Sequence, residues 1–254
     1  MISFETAFLE MFQGATAPDH GMHGESDPPV DRYIGKGPEP FNYSVRINSP
    51  CLKPEAERAV RREIEIAKAM GRNSFEWKMF DFPPMEFLGE ILSAQGFVLN
   101  RSSRLMFAPS AFTLRPQPSI SVREIHSETD FDHLLEVNAL AFGQRSEWLN
   151  QGLRREVLEN SDRVKAFLAS VDGNVAACGW IKRYSRIGVL FGGGTSPELR
   201  GRGAYKALVS ARCAFARTAQ VDYVASECSP HSEPILRALQ FGDAGRALQW
   251  VYEF

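Results

Sequence analysis

Residues 197–208 read PELRGRGAYKAL and carry the most informative pattern in the chain. They follow a strand pattern and open a helical one. Gly201 and Gly203 lack a Cβ, which lets the backbone turn tightly before the helix begins. The first helical amides are then unpaired at the positive end of the helix dipole, and Arg200 and Arg202 add charge. The pattern favours binding of a pyrophosphate, and a basic helix start with a glycine turn is the alternative interpretation.

Regular strand and helix patterns surround this stretch. The tripeptide DGN at 172–174 predicts a hairpin turn between two of the strands. A β-strand has apolar residues at every second position, and a helix at every third or fourth. These periods predict strands at 120–125, 164–171, 175–183, 187–191, 222–228 and 248–254, and helices at 130–142, 146–158, 203–218 and 233–239.

The glycine stretch and this order of elements resemble the GNAT superfamily of N-acetyltransferases. Its acyl-CoA signature reads Arg/Gln-x-x-Gly-x-Gly/Ala. Arg200 and Gly203 match it, whereas Tyr205 stands where the family prefers Gly or Ala. The resemblance covers residues 120–254, and the element order supplies most of its specificity. It implies an α/β (α+β) fold with a central, mostly antiparallel sheet flanked by helices.

The first half of the chain repeats part of this order. We predict helices at 54–70 and 84–94 and strands at 75–80 and 105–107, and Phe97 corresponds to Phe241. The pattern suggests a diverged internal duplication and is similar to the degenerate N-terminal GNAT-like domain of tandem family members. We therefore expect a degenerate domain at 1–115 and a catalytic domain at 119–254. The proline-rich segment 115–119 lies at the boundary.

The first half lacks an acyl-CoA signature. Its corresponding loop, 48–54, contains Pro50 and Pro54 instead. We expect no CoA there, and expect this half to shape the acceptor pocket. Segment 16–40 has no hydrophobic period and is interpreted as an irregular loop. The charged residues of the first long helix, Arg61, Arg62, Glu63 and Glu65, are interpreted as a solvated face.

The resemblance implies which residues hold the cofactor. Pantetheine runs along a splayed strand edge that corresponds to Gly193, Gly194 and Thr195, where a backbone amide near Thr195 stabilises the oxyanion. A flexible turn is the alternative interpretation of the glycines. The other implied acetyl-CoA contacts are the signature residues Arg200, Gly201, Arg202, Gly203, Ala204 and Tyr205, together with Ser229 and Ser232.

Acetyl transfer to an amine needs a group that removes a proton from the nucleophile, because an amine is protonated at neutral pH. Glu227, His231 and Ser229 are the candidate catalytic residues, with a surface carboxylate and a loop histidine as the alternative interpretations of the first two. Leu236 stands where the family usually has a general-acid Tyr. A thiolate leaves without much help, so this substitution is compatible with activity.

Composition excludes several classes of function. With 29 Lys and Arg against 31 Asp and Glu, the net charge of −2 argues against a general nucleic-acid binder. No apolar run reaches the ~18 residues of a membrane span, and residues 1–12 form an amphipathic segment with Phe4, Phe8, Leu9 and Phe12 facing a core. Four scattered cysteines without a CxxC pair indicate buried thiols in a cytoplasmic protein.

No metal is expected. His20 and His23 near Asp19 have metal-ligand spacing, but a solvated loop is the better interpretation because no third ligand is fixed. The sequence thus predicts an acetyl-CoA-dependent N-acetyltransferase. It transfers an acetyl group to a primary amine of a small molecule or peptide by direct attack in a ternary complex, as a monomer or homodimer. A non-catalytic acyl-CoA-binding or regulatory module and a longer acyl donor are the alternatives.

Overall fold

The described residues of the computed structural model, 3–12, 22–37, 39–49, 51–81, 87–111, 119–143, 149–159 and 162–254, form one eleven-stranded mixed sheet with helices on both faces. The strands are β1 (His23–Asp27), β2 (Val30–Ile34), β3 (Tyr43–Ile47), β4 (Ser74–Phe80), β5 (Val98–Pro109), β6 (Ile120–Glu124), β7 (Val164–Val171), β8 (Asn174–Tyr184), β9 (Ile187–Thr195), β10 (Tyr223–Cys228) and β11 (Gly242–Glu253). The helices are α1 (Phe4–Phe12), α2 (Lys53–Ala69), α3 (Leu88–Ala94), α4 (Glu128–Phe142), α5 (Arg154–Leu158), α6 (Ala204–Thr218) and α7 (Glu233–Ala238).

The two halves of the chain share this sheet by exchanging a strand. The strand order is β1-β2-β3-β4-β11-β5-β10-β9-β8-β7-β6. Strand β5 of the first half pairs with β10, and β11 of the second half pairs with β4. Only β3–β4 and β9–β10 are parallel among the described pairs, so the sheet is mostly antiparallel, as predicted. Residues 115–118 of the predicted domain boundary lie outside the described residues.

Alternate residues of each strand pack on opposite faces, which separates the helices into two layers. Helices α2 and α3 cover one face in the first half, and α6 and α7 cover the same face in the second half. Helices α4 and α5 lie on the other face over β7 and β8. Helix α1 lies on that face too, where Phe4 and Phe8 are buried against β5, β9 and β10. Leu9 and Phe12 have side chains outside the described part.

Corresponding helices in the two halves end in the same way. After α2, the amide of Arg72 donates to the carbonyl of Ala67 at 3.1 Å, and after α6 the amide of Val221 donates to Ala216 at 3.3 Å. The amides of Phe97 and Phe241 each donate to a Leu carbonyl five residues earlier at 3.0 Å. These matched turns agree with the repeat that the sequence suggests.

The prediction of an irregular loop at 16–40 is wrong for the described residues from 23 onward. Strands β1 and β2 form an antiparallel hairpin there, and β2 pairs with β3. β1 is an edge strand whose side chains are mostly exposed, so it needs no apolar alternation. Residues 16–20, with His20, lie outside the described part of the chain. Strand β3 was not predicted.

Other boundaries also need correction. Strand β5 spans twelve residues rather than 105–107, because its polar segment 100–104 pairs with β11 through the backbone. Strand β9 continues through Thr195, and β11 begins at Gly242. The predicted helix at 146–158 is a π-helical turn at Leu149–Leu153 followed by α5, and 146–148 lie outside the described residues. Residues 84–86 of the predicted helix 84–94 also lie outside.

The interpretation of Glu63 as part of a solvated helix face is wrong. Glu63 is fully buried, and its carboxylate accepts hydrogen bonds from Arg32 Nε at 2.5 Å and Nη2 at 2.7 Å. Arg32 comes from β2, whose existence the sequence did not reveal. A charge on the buried side of a helix is stable only with such a partner.

Candidate active site

The candidate site begins where two parallel strands separate. β9 and β10 pair from Tyr223–Ile187 to Ala225–Val189, and the register ends there. β9 continues to Thr195, while β10 continues to Cys228 paired only with β5 on its other side. The backbone groups of the two diverging ends therefore line an opening that an extended ligand could enter between them.

The glycines of β9 are fixed by close contacts on both sides of the opening. A Cβ on Gly193 would lie 2.7 Å from Cε2 of Tyr205 on α6, and a Cβ on Gly194 would lie 2.6 Å from Cβ of Ala141 on α4. Both distances are shorter than van der Waals contact, so a side chain at Gly193 would displace the Tyr205 ring and one at Gly194 would push against α4. The structure thus supplies a packing reason for glycines that the sequence presented as either a ligand groove or a flexible turn.

Helix α6 starts without a side-chain cap. Gly203 is the N-cap residue, with φ of 90°, and Gly201 has φ of 76°, so both occupy the left-handed region that favours glycine. The first turn of α6 contains no acidic residue. Its amides and the positive end of the helix dipole are therefore available to an anion.

Basic side chains surround this helix start. Arg200 is held by the backbone, since its Nε donates to the carbonyl of Thr195 at 3.2 Å and its Nη2 to that of Ala141 at 3.4 Å. Arg202 is paired with Asp172 in the β7–β8 turn. Lys206 is exposed in the first turn of α6. Arg101, which the sequence analysis missed, lies on β5 of the first half and lines the cavity that this helix start borders.

These elements enclose a cavity of about 840 Å³. No Asp or Glu is among the described residues that line it, so its charge is positive. All predicted site residues except Glu227 line this cavity. They are Gly193, Gly194, Thr195, Arg200, Gly201, Arg202, Gly203, Ala204, Tyr205, Ser229, His231 and Ser232.

The turn between β10 and α7 contributes hydroxyl groups to the cavity. The amide of Ser229 donates to Ser232 Oγ at 3.0 Å, and the two hydroxyls lie 3.2 Å apart. This mutual bonding fixes the turn. His231 is exposed on it, whereas Leu236 is fully buried in the core and cannot reach a ligand.

Glu227 lies away from the cavity lining. It occupies the fifth position of β10, and its carboxylate is 2.6 Å from Nζ of Lys78, the fifth residue of β4. Both side chains are about one-quarter exposed. Glu76, two residues before Lys78 on β4, is buried, and burial raises the pKa of its carboxyl. The role of Glu227 as a base stays a prediction.

The described residues hold no cluster of three or more His, Cys, Asp or Glu side chains suited to a metal ion. Within the same residues, no helix is both long and apolar enough to cross a membrane. The four cysteines are free; Cys178, Cys213 and Cys228 are buried, and Cys51 is half-buried.

Comparison with solved structures defines the fold. A GCN5-related N-acetyltransferase from Kribbella flavida superposes with a TM-score of 0.77 at 13% identity, covering 99% of this chain and 96% of that one. A GCN5-related N-acetyltransferase from Sphaerobacter thermophilus gives 0.66 at 14% identity, covering 89% and 76%. A tandem GNAT protein of clavulanic acid biosynthesis gives 0.60 at 14% identity, covering 98% and 94%.

The chain therefore has the fold of the GNAT N-acetyltransferases over nearly its whole length. No protein-family model matches the sequence, and no curated protein matches it. The likeness thus lies in backbone architecture, and at this identity it carries the fold alone.

Proposed function

We propose that the protein is an acetyl-CoA-dependent N-acetyltransferase acting on a primary amine. The observation that carries the proposal is the junction of three features at one cavity: the separated ends of β9 and β10, the uncapped start of α6 and a lining whose described residues include no carboxylate. The helix start suits the pyrophosphate of CoA, and the strand opening suits its extended pantetheine arm.

The chemistry follows from this placement. The amine nitrogen attacks the thioester carbon in a ternary complex, and a β9 amide near Thr195 stabilises the oxyanion. The carbon–sulfur bond then breaks and the sulfur leaves with the electron pair. A base removes the amine proton, and Glu227, His231 and Ser229 are the candidates. His231 and Ser229 line the cavity, whereas Glu227 requires the acceptor to approach from the face that carries Lys78.

The first test is calorimetric titration of acetyl-CoA into the wild type and Arg202→Glu. We expect the variant to lose at least about tenfold in affinity, because it places a carboxylate beside the pyrophosphate. Arg186→Glu is the matched control, since Arg186 is similarly exposed and also pairs with an aspartate, Asp222, away from the cavity. Equal losses in both variants, or no binding to the wild type, would contradict the proposal.

Turnover is tested with a panel of primary amines and detection of free CoA thiol. Release of CoA that depends on the amine supports the transferase. Binding of acetyl-CoA without accelerated release in any amine would favour a non-catalytic acyl-CoA-binding module instead. Comparing acetyl-, propionyl- and succinyl-CoA affinities tests the acyl preference.

A further inference from the structure

Arg212 is a buried cation that has no carboxylate partner among the described residues. It lies on α6 and is 1% exposed. Its Nε donates to the carbonyl of Leu208 at 3.2 Å, and its Nη1 donates to those of Trp180 and Phe191 at 3.4 and 3.3 Å. These carbonyls are dipoles and do not neutralise the charge. Burying an uncompensated guanidinium is costly, so the position calls for an explanation.

The unused part of this guanidinium faces the cavity wall. Nη2 of Arg212 has no hydrogen-bond partner in the described part of the chain, while the guanidinium as a whole interacts with the Tyr205 side chain. A Cβ on Gly193 would lie 3.2 Å from Nη2 and 2.7 Å from the Tyr205 ring, so the two side chains meet behind Gly193. Gly193 and Tyr205 both line the cavity. The positive charge therefore lies directly beneath the opening between β9 and β10.

Tyr205 connects the buried charge to the hydroxyl groups of the cavity. Its ring centroid lies 6.0 Å from Cζ of Arg212, and its hydroxyl interacts with the side chain of Ser232. Burial raises the pKa of Tyr205, which keeps the phenol protonated and able to donate a hydrogen bond at neutral pH. The titratable groups that face Arg212 and Tyr205 are Cys178 from β8, Cys213 from α6 and Cys228 from β10.

The three cysteines are neutral near pH 7, because burial raises the pKa of Cys178 to about 12 and those of Cys213 and Cys228 to about 11. None of them supplies a negative charge to Arg212. An anion that enters the opening would therefore be the first counter-charge that the guanidinium meets. The cavity leads from the start of α6, where the proposed ligand binds with its pyrophosphate, to the opening beside Arg212. The anion that meets Arg212 is therefore at the inner end of that ligand.

We propose that Arg212 and Tyr205 stabilise the thiolate of CoA as it leaves, Tyr205 by donating a hydrogen bond to sulfur and Arg212 as the positioning residue behind it. This inference rests on the proposed function. In the transfer step, the amine nitrogen bonds to the thioester carbon, the carbon–sulfur bond breaks, and sulfur retains the electron pair. Tyr205 keeps its proton, and the amine proton goes to the base. The buried Leu236 has no group that could share this task.

The test compares the affinities of CoA and acetyl-CoA by calorimetry at about pH 6.5 and about pH 9.5. Only CoA has a thiol, so the ratio of the two affinities cancels changes in the phosphates and in the protein. If the site lowers the pKa of the bound thiol by about one unit, the ratio in favour of CoA rises roughly tenfold between these pH values. We expect this rise in the wild type and its loss in Tyr205→Phe.

Two controls keep the test specific. Tyr252→Phe removes a hydroxyl from β11 in the sheet of the first half and should retain the wild-type rise. Arg212→Lys keeps a cation and should retain part of it, whereas Arg212→Met should lose it. If Arg212→Met does not fold, Tyr205→Phe and Arg212→Lys still decide the result.

Failure takes distinguishable forms. If neither ligand binds, the proposed function is wrong and this inference falls with it. If both bind and the ratio stays flat with pH in the wild type, only the inference is wrong. A rise that persists in Tyr205→Phe would remove Tyr205 from the mechanism. Succinyl-CoA binding about tenfold more tightly than acetyl-CoA, with the preference lost in Arg212→Met, would show that Arg212 binds an acyl carboxylate instead.

Discussion

The two halves of the molecule place a charged residue at the same point of corresponding helices, with opposite outcomes. Glu63 precedes Ala67 of α2 by four residues, and Arg212 precedes Ala216 of α6 by four, where both alanines accept the same helix-ending hydrogen bond. Glu63 is neutralised by Arg32 and also accepts from the Tyr43 hydroxyl at 3.2 Å. Arg212 donates hydrogen bonds to backbone carbonyls and lies beside the Tyr205 ring, with no carboxylate partner among the described residues. The buried charge of the first half is therefore compensated, whereas that of the second half has no counter-charge in the part of the chain that the structure describes.

The N-termini of α2 and α6 also differ in whether a carboxylate of the chain is present. In α2, the carboxylate of Glu55 accepts a hydrogen bond from the amide of Leu52 at 3.1 Å and occupies the positive end of the helix. In α6, Gly203 has no side chain that could cap the corresponding amides. One topology therefore serves as a stable support in the first half and as a candidate binding site in the second, and a few side chains make the difference.

The largest expected effect comes from breaking the buried pair of the first half. Glu63→Met removes the fully buried carboxylate from Arg32 and leaves it only the partly exposed Asp27, at 3.1 Å, and Glu25, at 3.9 Å, so we expect a loss of up to about 3–5 kcal/mol in the free energy of unfolding. Urea denaturation measures it. The double variant Arg32→Met, Glu63→Met should recover most of the loss, because it removes both charges.

Arg212→Met is the informative counterpart in the second half. It removes no ion pair, so it should cost only about 1–3 kcal/mol, from carbonyls that lose their donors. If Arg212→Met destabilised the protein as much as Glu63→Met, Arg212 would be structural in the same sense as Glu63, and the contrast between the halves would disappear.

The second-largest expected effect comes from placing a carboxylate in α6 at the position that Glu55 occupies in α2. Lys206→Glu places a carboxylate in the first helical turn, where it can bond the free amides and occupy the dipole. We expect the affinity for acetyl-CoA to fall at least about tenfold in calorimetry while thermal stability stays equal or rises slightly. Lys206→Gln is the control for loss of the lysine alone. An unchanged affinity in Lys206→Glu would mean that the helix start does not bind the pyrophosphate.

The second half was predictable because its signals are local. The period of its strands, the DGN turn and the glycine stretch around Gly203 each depend on neighbouring residues, and the structure places them as expected. Its candidate cofactor residues line one cavity for the same reason, since a single turn and a single strand end supply most of them.

The first half was harder to predict because its signals are not local. β1 and β2 carry polar residues, and the buried partner of Arg32 is Glu63, which lies 31 residues later. Residues 100–104 of β5 are polar, so the sequence shows no strand pattern there. They form a strand because their backbone pairs with β11, which comes from the far end of the chain. Arg101 lines the cavity because β5, although part of the first half, lies between β10 and β11 of the second half. Arg212 could have been predicted as a buried charge, because it lies on the apolar face of a helix in the sequence pattern. A buried charge needs a compensating partner.

The smallest effect concerns Glu76, the third residue of β4, whose counterpart at the third position of β10 is Ala225. Burial raises the pKa of Glu76 above its ordinary value of 4.5, although Lys78 and the Ser44 hydroxyl, at 2.9 Å, oppose this. The folded state therefore holds the proton more tightly than the unfolded chain. Its contribution to stability is fully present below the ordinary pKa and is lost as pH rises through the raised one.

Glu76→Gln keeps an oxygen for Ser44 and has no proton to lose. We therefore expect it to gain about 1 kcal/mol or less at neutral pH and to flatten the decline in stability between the ordinary and the raised pKa. Urea denaturation across that pH range measures both, with the exposed Glu65→Gln as the control that leaves the slope unchanged. A steeper slope in Glu76→Gln would mean that Lys78 relies on Glu76 as well as on Glu227, and that the two halves are joined there by a three-membered charge network rather than by one ion pair.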